Sequence, residues 1–322
     1  MLGAAKIKKN QERLIGLELL SAASGVLIAI QSRINGELSY RLGDSLEAAM
    51  VSFSTGLIFV TLIVISRKQT RAGFGLIFKA VGQKRLPKWR LLAGVLGASF
   101  VAMQTHVVPI AGVALFTVAS LAGQTAISLF VDKLGLSGGA KSAITKRRVI
   151  AALITIFAVV VSAWDRFSMS NFSVAAVFLA VLAGTWVGVQ RALNAQINVY
   201  STQAFATSLL NFITGTTFLC SLVAIRYLIS GQPLSKLVSA PWWVYLGGSI
   251  GVIYIAFSAT AVQHMGVLVF TLFSVGGMLF GSLIIDLVAP TSGTDISPYL
   301  FAGILLTYLG VIANGQSRFS RK

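Results

Sequence analysis

The sequence predicts an all-α membrane protein with ten transmembrane helices, built as two five-helix repeats of opposite orientation. Three observations carry this expectation. The 322 residues are 56% hydrophobic, with a mean hydropathy of +0.83 and only 11% charged residues, where a soluble domain carries roughly 25%. Apolar runs of membrane-crossing length recur along the whole chain. The chain also matches itself at a nearly constant offset.

A helix crosses a hydrocarbon core of ~30 Å with about 20 apolar residues. Such runs fall at 14–34, 46–66, 90–108, 112–131, 149–164, 172–193, 203–225, 242–261, 266–288 and 298–315, the fifth being short. No long polar stretch remains for a separate soluble domain. The basic start MLGAAKIKKNQER runs directly into the first span without a small-residue cleavage site. It reads as a membrane anchor and not as a removed signal peptide. The 31 glycines suit closely packed membrane helices. Cys220 is the only cysteine, so neither a disulfide nor a cysteine-based metal site is expected within one chain.

The net charge is +17. In a soluble protein that would suggest nucleic acid, but here the bases cluster in a few loops. With a cytoplasmic N-terminus, 21 Lys and Arg fall inside, Arg191 among them, and 5 fall outside (Arg33, Arg41, Arg166, Arg226 and Lys236). The positive-inside rule therefore places both termini in the cytoplasm. Trp89, Trp164, Trp242 and Trp243 lie at span ends, where an aromatic belt belongs, while Trp186 lies mid-span.

Sliding the sequence by 159 places Gly25 on Gly184, Gln31 on Gln190, Asn35 on Asn194, Phe53 on Phe212, Gly56 on Gly215 and Arg67 on Arg226. Beyond the basic loop at 67–90 the offset becomes 154. Trp89 then meets Trp243, Gly94 meets Gly248, Gly97 meets Gly251, and GVALFTVASLAGQTAISLFVD (112–132) meets GVLVFTLFSVGGMLFGSLIID (266–286). Residues 1–165 and 166–322 are thus expected to be two copies of one five-span unit. Five is odd, so the second copy enters the membrane from the other side. Secondary transporters commonly have this architecture, with a substrate site near the midplane between the repeats.

Both G-x(5)-Q-x(3)-N segments (Gly25–Asn35 and Gly184–Asn194) resemble the signature of the YdcZ-like family, as do VSFSTG (51–56), LNFITG (210–215) and LAGQTAISLFVDKLG (121–135). That family belongs to the drug/metabolite transporter (DMT) superfamily. The resemblance spans nearly the whole chain, one family unit per half. It implies a fused pair with a ten-helix, DMT-type transporter fold in the bacterial inner membrane, exporting small molecules. The second half departs from it at Met278, where the first has Gln124, and in DLVAP, where the first has DKLG.

Gln31 with Asn35, and Gln190 with Asn194, each share one helix face. They are candidates to bind substrate or line a gate. The alternative is that the amides join helices, with Asn35-Gly36 an ordinary helix ending. Ser52 and Asn211 occupy equivalent deep positions, and Gln124 and Trp186 are also deep. These four form the expected cavity lining. Glu18, Asp132 and Asp286 are the proton-coupling candidates. Glu18 lies in the first span, either as a titrating carboxylate or snorkelling to the interface beside the helix N-terminus. Asp132 and Asp286 stand at helix C-termini, where the helix dipole opposes an anion by roughly 0.3–1 kcal/mol. That position suggests a partner cation, a gating role or interfacial anchoring. His106 and His264 read as caps or packing residues.

GLSGGAKS (135–142) approaches a phosphate-binding loop, but Ala140 stands where its second glycine belongs, and a membrane helix precedes it in place of a strand. ATP drive within this chain is therefore not expected, and the proton gradient is the expected source of energy. The 67–90 segment, with Phe74, Ile77 and Val81 among bases, reads either as a surface lying on the anionic leaflet or as a plain basic loop. The expected partners are membrane lipid, a small-molecule substrate and protons, with no nucleic acid, cofactor or metal, in a monomer or homodimer. Two rival functions are a non-transporting scaffold or regulator, and a membrane enzyme acting on lipid-linked substrates. The enzyme would need clustered catalytic groups, which the sequence does not offer.

Overall fold

The computed structural model describes residues 2–136, 144–164, 173–231, 233–235, 240–289 and 296–319. For residues 2–15, 132, 259–269, 271–272, 311 and 314–319 it describes the backbone alone. All regular structure among the described residues is helical. The helices are α1 (Leu2–Leu42), α2 (Ser45–Ser66), α3 (Lys68–Gly82), α4 (Ala93–Ala111), α5 (Val113–Leu134), α6 (Lys146–Ser162), α7 (Val174–Ser201), α8 (Ala204–Ser230), α9 (Gly247–Val288) and α10 (Pro298–Phe319). Short 3-10 turns at Lys88–Leu92 and Trp242–Tyr245 lead into α4 and α9.

The helix boundaries follow local chemistry. Asp44 caps α2 by accepting the Glu47 N–H at 2.9 Å, and Ser173 caps α7 by accepting the Ala176 N–H at 3.1 Å. Between α4 and α5 a single residue intervenes, Gly112, with φ of +80°. A side chain there would clash with its own backbone, so glycine permits the break.

Among the described residues six helices are long and apolar enough to cross a membrane: Gly16–Leu42, Ser45–Ser66, Lys88–Ala111, Val113–Val131, Val174–Ser201 and Ala204–Ser230. The segments Gly247–Ser258, Phe273–Val288 and Pro298–Gly310 are apolar but shorter, and α6 has 17 residues. These account for the ten apolar runs, with the eighth and ninth inside the single element α9.

That element folds back on itself. Gly251 lies against Gln31 and Gly247 against Asn35, while Gly25 lies against Ser274 and Gly281 against Val26 and Ala29. A straight helix would separate residues 251 and 274 by about 35 Å, yet their neighbours on α1 are about 9 Å apart. Contacts on one limb of α9 descend along α1 as those on the other ascend. The limbs therefore run in opposite directions.

α1 packs chiefly on α9, α7 on α4 and α5, α2 on α8, and α6 on α10. Five close contacts occur twice with the two segments exchanged. A Cβ on Gly25 would meet Ser274 O at 1.9 Å, and one on Gly184 would meet Ser120 O at 1.8 Å. Gly94 abuts Asn211 and Gly248 abuts Ser52; Gly97 abuts Gln190 and Gly251 abuts Gln31; Gly123 abuts Val181 and Gly277 abuts Ala22. Gly56 abuts Phe212 and Gly215 abuts Phe53, and those two rings lie 5.0 Å apart between α2 and α8. Small residues let these backbones touch, which drives helix association where lipid supplies no hydrophobic force.

Several expectations change. Asn35-Gly36 is not a helix ending, because α1 continues to Leu42 and Gly36 packs on the Val108 side chain. Asn194 is likewise interior to α7. Glu18 lies far from the N-terminus of α1, which begins at Leu2, so no terminal dipole steadies it. The 67–90 segment is largely helical. In α3, Ile77 is fully buried in a cluster with Leu193, Ile197 and Leu210, leaving Leu76 and Phe78 exposed among the bases. Residues 137–143 of the phosphate-loop-like run lie outside the described residues.

Candidate functional site

The polar residues of the two repeated segments form two clusters, one among α1, α2, α4 and α9 and one among α7, α8 and α4. On one side, Asn35 Nδ2 donates to Gln104 Oε1 at 2.9 Å, and Gln104 Nε2 donates to Ser32 Oγ at 2.7 Å. Asn35, Gln104 and Ser32 are all buried. This chain ties α1 to α4. The sequence reading missed Gln104, whose signal was an amide within an apolar helix.

Asn35 Oδ1 has no hydrogen-bond partner. It faces Gly247 together with Ser52 Oγ, which is also unpartnered. Ser52 is 1% exposed. Glycine at 247 makes this approach possible, since a Cβ would lie 2.0 Å from Asn35 Oδ1 and 3.2 Å from Ser52 Oγ.

The second cluster is closed. Asn211 Nδ2 donates to Asn194 Oδ1 at 2.7 Å and to Thr207 O at 2.9 Å, and its Oδ1 accepts from Gln190 Nε2 at 3.1 Å. The structure therefore joins Gln190, Asn194 and Asn211 directly. It brings Ser52 to Asn35 without joining them. Gln31 rests on Gly251 and makes no hydrogen bond among the described residues. Gln124 Oε1 and Trp186 Nε1 are buried and unpartnered, on α5 and α7 respectively. A buried polar atom left unpaired costs about 1–3 kcal/mol. Asn35 Oδ1 and Ser52 Oγ, which face Gly247 together, and separately Gln124 Oε1 and Trp186 Nε1, mark places where a water or ligand group would be stabilised.

The charged residues divide in the same way. Asp286 is buried, and its two oxygens accept the N–H groups of Val113 at 3.1 Å and Ala114 at 2.7 Å. Its charge, set against the C-terminus of its own helix, thus caps the N-terminus of α5. This resolves the electrostatic conflict read from the sequence. The side chains of Asp132 and His264 lie outside the described residues. Glu18 is half-buried on α1, and His106 is exposed.

Arg226 bridges Asp44 and Glu47, tying α8 to the start of α2, and Glu47 also accepts the Ser235 N–H at 2.9 Å. Arg191 is not a loop residue, as the positive-inside reading had it. α7 extends ten residues beyond it to Ser201, and Arg191 Nη2 donates to the Tyr254 hydroxyl at 2.9 Å. Among the described residues no group of three or more His, Cys, Asp or Glu could hold a metal ion.

A solved crystal structure, described only as "Crystal structure of protein", superposes with a TM-score of 0.56 at 14% identity, over 95% of this chain and 98% of that one. At that identity the likeness concerns the fold alone. No curated protein matches the chain. A family model described as "Putative inner membrane exporter, YdcZ" matches twice, over residues 17–161 and 175–313. The paired amide clusters and exchanged glycine contacts fall inside those two segments, and the chain therefore belongs to the DMT_YdcZ family of inner-membrane proteins as two family units joined in one polypeptide.

Proposed function

We propose that this protein is a gradient-driven carrier that exports a small molecule across the bacterial inner membrane. Two inverted five-span units, 1–165 and 166–322, exchange conformations in this reading. The observation that carries it is the set of five contacts made twice with the segments exchanged. An approximate two-fold axis in the membrane plane between α2 and α8 accounts for them. A two-fold related pair can rock about such an axis, opening first one face and then the other. The reversal of α9 supports ten crossings and both termini on one side.

Reporter fusions at residues 169 and 200 should report periplasm and cytoplasm respectively. The same side for both would overturn the inverted topology. In proteoliposomes the purified protein should give counterflow of its substrate, and a scaffold would give none. We assign energy coupling to the proton and, first, to Glu18. Glu18→Gln should abolish gradient-driven transport while counterflow persists. Unchanged proton-driven transport would remove Glu18 and leave Asp132 and Asp286.

A further inference from the structure

Arg191 is a cation in an unusual place. Its guanidinium bonds the Tyr254 hydroxyl at 2.9 Å and lies 5.9 Å from that ring's centroid. Tyr254 is buried in the main apolar cluster alongside Ile28 and Phe270. Arg191 lies seventeen residues from the start of α7 and ten from its end, about 25 Å and 15 Å at 1.5 Å per residue, so it sits well inside a span that crosses a core ~30 Å thick.

No carboxylate forms an ion pair with Arg191 among the described residues. Glu37 is held by Arg33 and Arg41, Asp44 and Glu47 by Arg226, and Asp286 by the backbone of α5. A charge at membrane depth without a counter-ion is expensive and marks a pathway or a ligand. The repeat does not require it either. Under the two offsets, Arg191 corresponds to Ser32 and Tyr254 to Phe100. Both first-half residues are satisfied, Ser32 by Gln104 and Phe100 by its ring contact with Phe116. The cation is therefore an addition on one side of a scaffold that packs without it.

A third group lies close by. Gln31, which makes no hydrogen bond among the described residues, rests on Gly251. Residues 251 and 254 are three apart on α9 and share a face. An unpaired amide and a tyrosine hydroxyl that holds a guanidinium with four donors to spare thus lie along one stretch of α9. A guanidinium fork matches a planar carboxylate bidentately. One positive charge well inside the span balances one negative charge, which favours a carboxylate over a doubly charged phosphate.

From this juxtaposition we infer that Arg191, Tyr254 and Gln31 bind the carboxylate of the transported molecule, so that the cargo is a small organic monocarboxylate. The inference rests on the carrier reading above and deepens it.

The test is thermal unfolding of the full-length protein in detergent, with a panel of small aliphatic, aromatic and amino-acid carboxylates and their matched primary amides. At least one carboxylate should raise the melting temperature, and its amide should not. Arg191→Gln should weaken that carboxylate by about tenfold or more. Arg191→Lys and Tyr254→Phe should keep part of it, which a merely folded-state role for Arg191 would not predict. A panel without any carboxylate-specific shift, or an equal shift in Arg191→Gln, overturns the inference. Counterflow separates the two readings. Carboxylate binding without transport would sink the carrier alone, and Arg191-independent transport of a neutral or cationic compound would sink this proposal alone.

Discussion

Gly184→Ala adds one methyl group where α7 crosses α5. The new Cβ would lie 1.8 Å from Ser120 O and 2.6 Å from Ser120 C, both backbone atoms that no rotamer change can move. Ordinary carbon contacts sit at about 3.5 Å, so the two helices must part by roughly 1.5 Å. A gap of even ~1 Å forfeits a quarter to a half of each dispersion contact along the seam. Overpacking of this kind destabilises by about 1–3 kcal/mol. The exchanged contact gives an internal control, because a Cβ on Gly25 would lie 1.9 Å from Ser274 O. Gly25→Ala should therefore cost about the same, within ~1 kcal/mol. Gly16→Ala meets nothing within 4 Å and should be neutral or stabilising by up to about 1 kcal/mol through helix propensity. The assay is thermal unfolding of the three variants in one detergent, followed by size-exclusion of the surviving monodisperse fraction. Wild-type melting of Gly184→Ala, or a large difference between it and Gly25→Ala, would refute the exchanged packing.

Gln104→Leu removes the acceptor of the Asn35 amide and the donor to Ser32, which keeps only its bond to Ile28 O, and should lower stability by about 1–3 kcal/mol in the same melting assay. Arg226→Met leaves the buried Glu47 without its cation and should be the more destabilising single change, whereas Arg226→Met with Glu47→Gln should recover part of the loss. Asp286→Asn keeps one acceptor for α5 but loses the other and the charge, for an expected loss of about 1–3 kcal/mol, read as earlier unfolding and faster amide exchange at Val113 and Ala114.

The apolar runs were legible because a bilayer imposes a length on every segment, and the repeat because it preserved glycines at fixed offsets. What the sequence could not express was which copy each residue serves. Asp286 looked misplaced because its partners are on α5, more than 170 positions away. Asn35 looked like a terminator because Asn-Gly usually stops a helix, yet α1 carries it through, with Gly36 giving way to Val108. Arg191 reads as a cytoplasmic base because the apolar run ends at 193, eight residues before α7 ends at Ser201. The amides themselves were found, but their bonding differs between halves, and only geometry distinguishes the closed Gln190–Asn194–Asn211 set from the open Asn35–Ser52 pair.

The exchanged packing also bears on how the polypeptide is made. α1 meets its main neighbour only when α9 has been synthesised, and α4 and α5 wait for α7. Until then the nascent N-terminal half presents glycine seams, the amide of Gln31 and the start of α5, still without its Asp286 cap, to lipid. That half resembles one member of an obligate heterodimer more than an independent domain. Its lifetime in the membrane is set by how quickly translation delivers the other member. Two polypeptides cut between residues 164 and 173 and produced together should find each other and restore the whole bundle, while either fragment produced alone should be cleared by quality-control proteases.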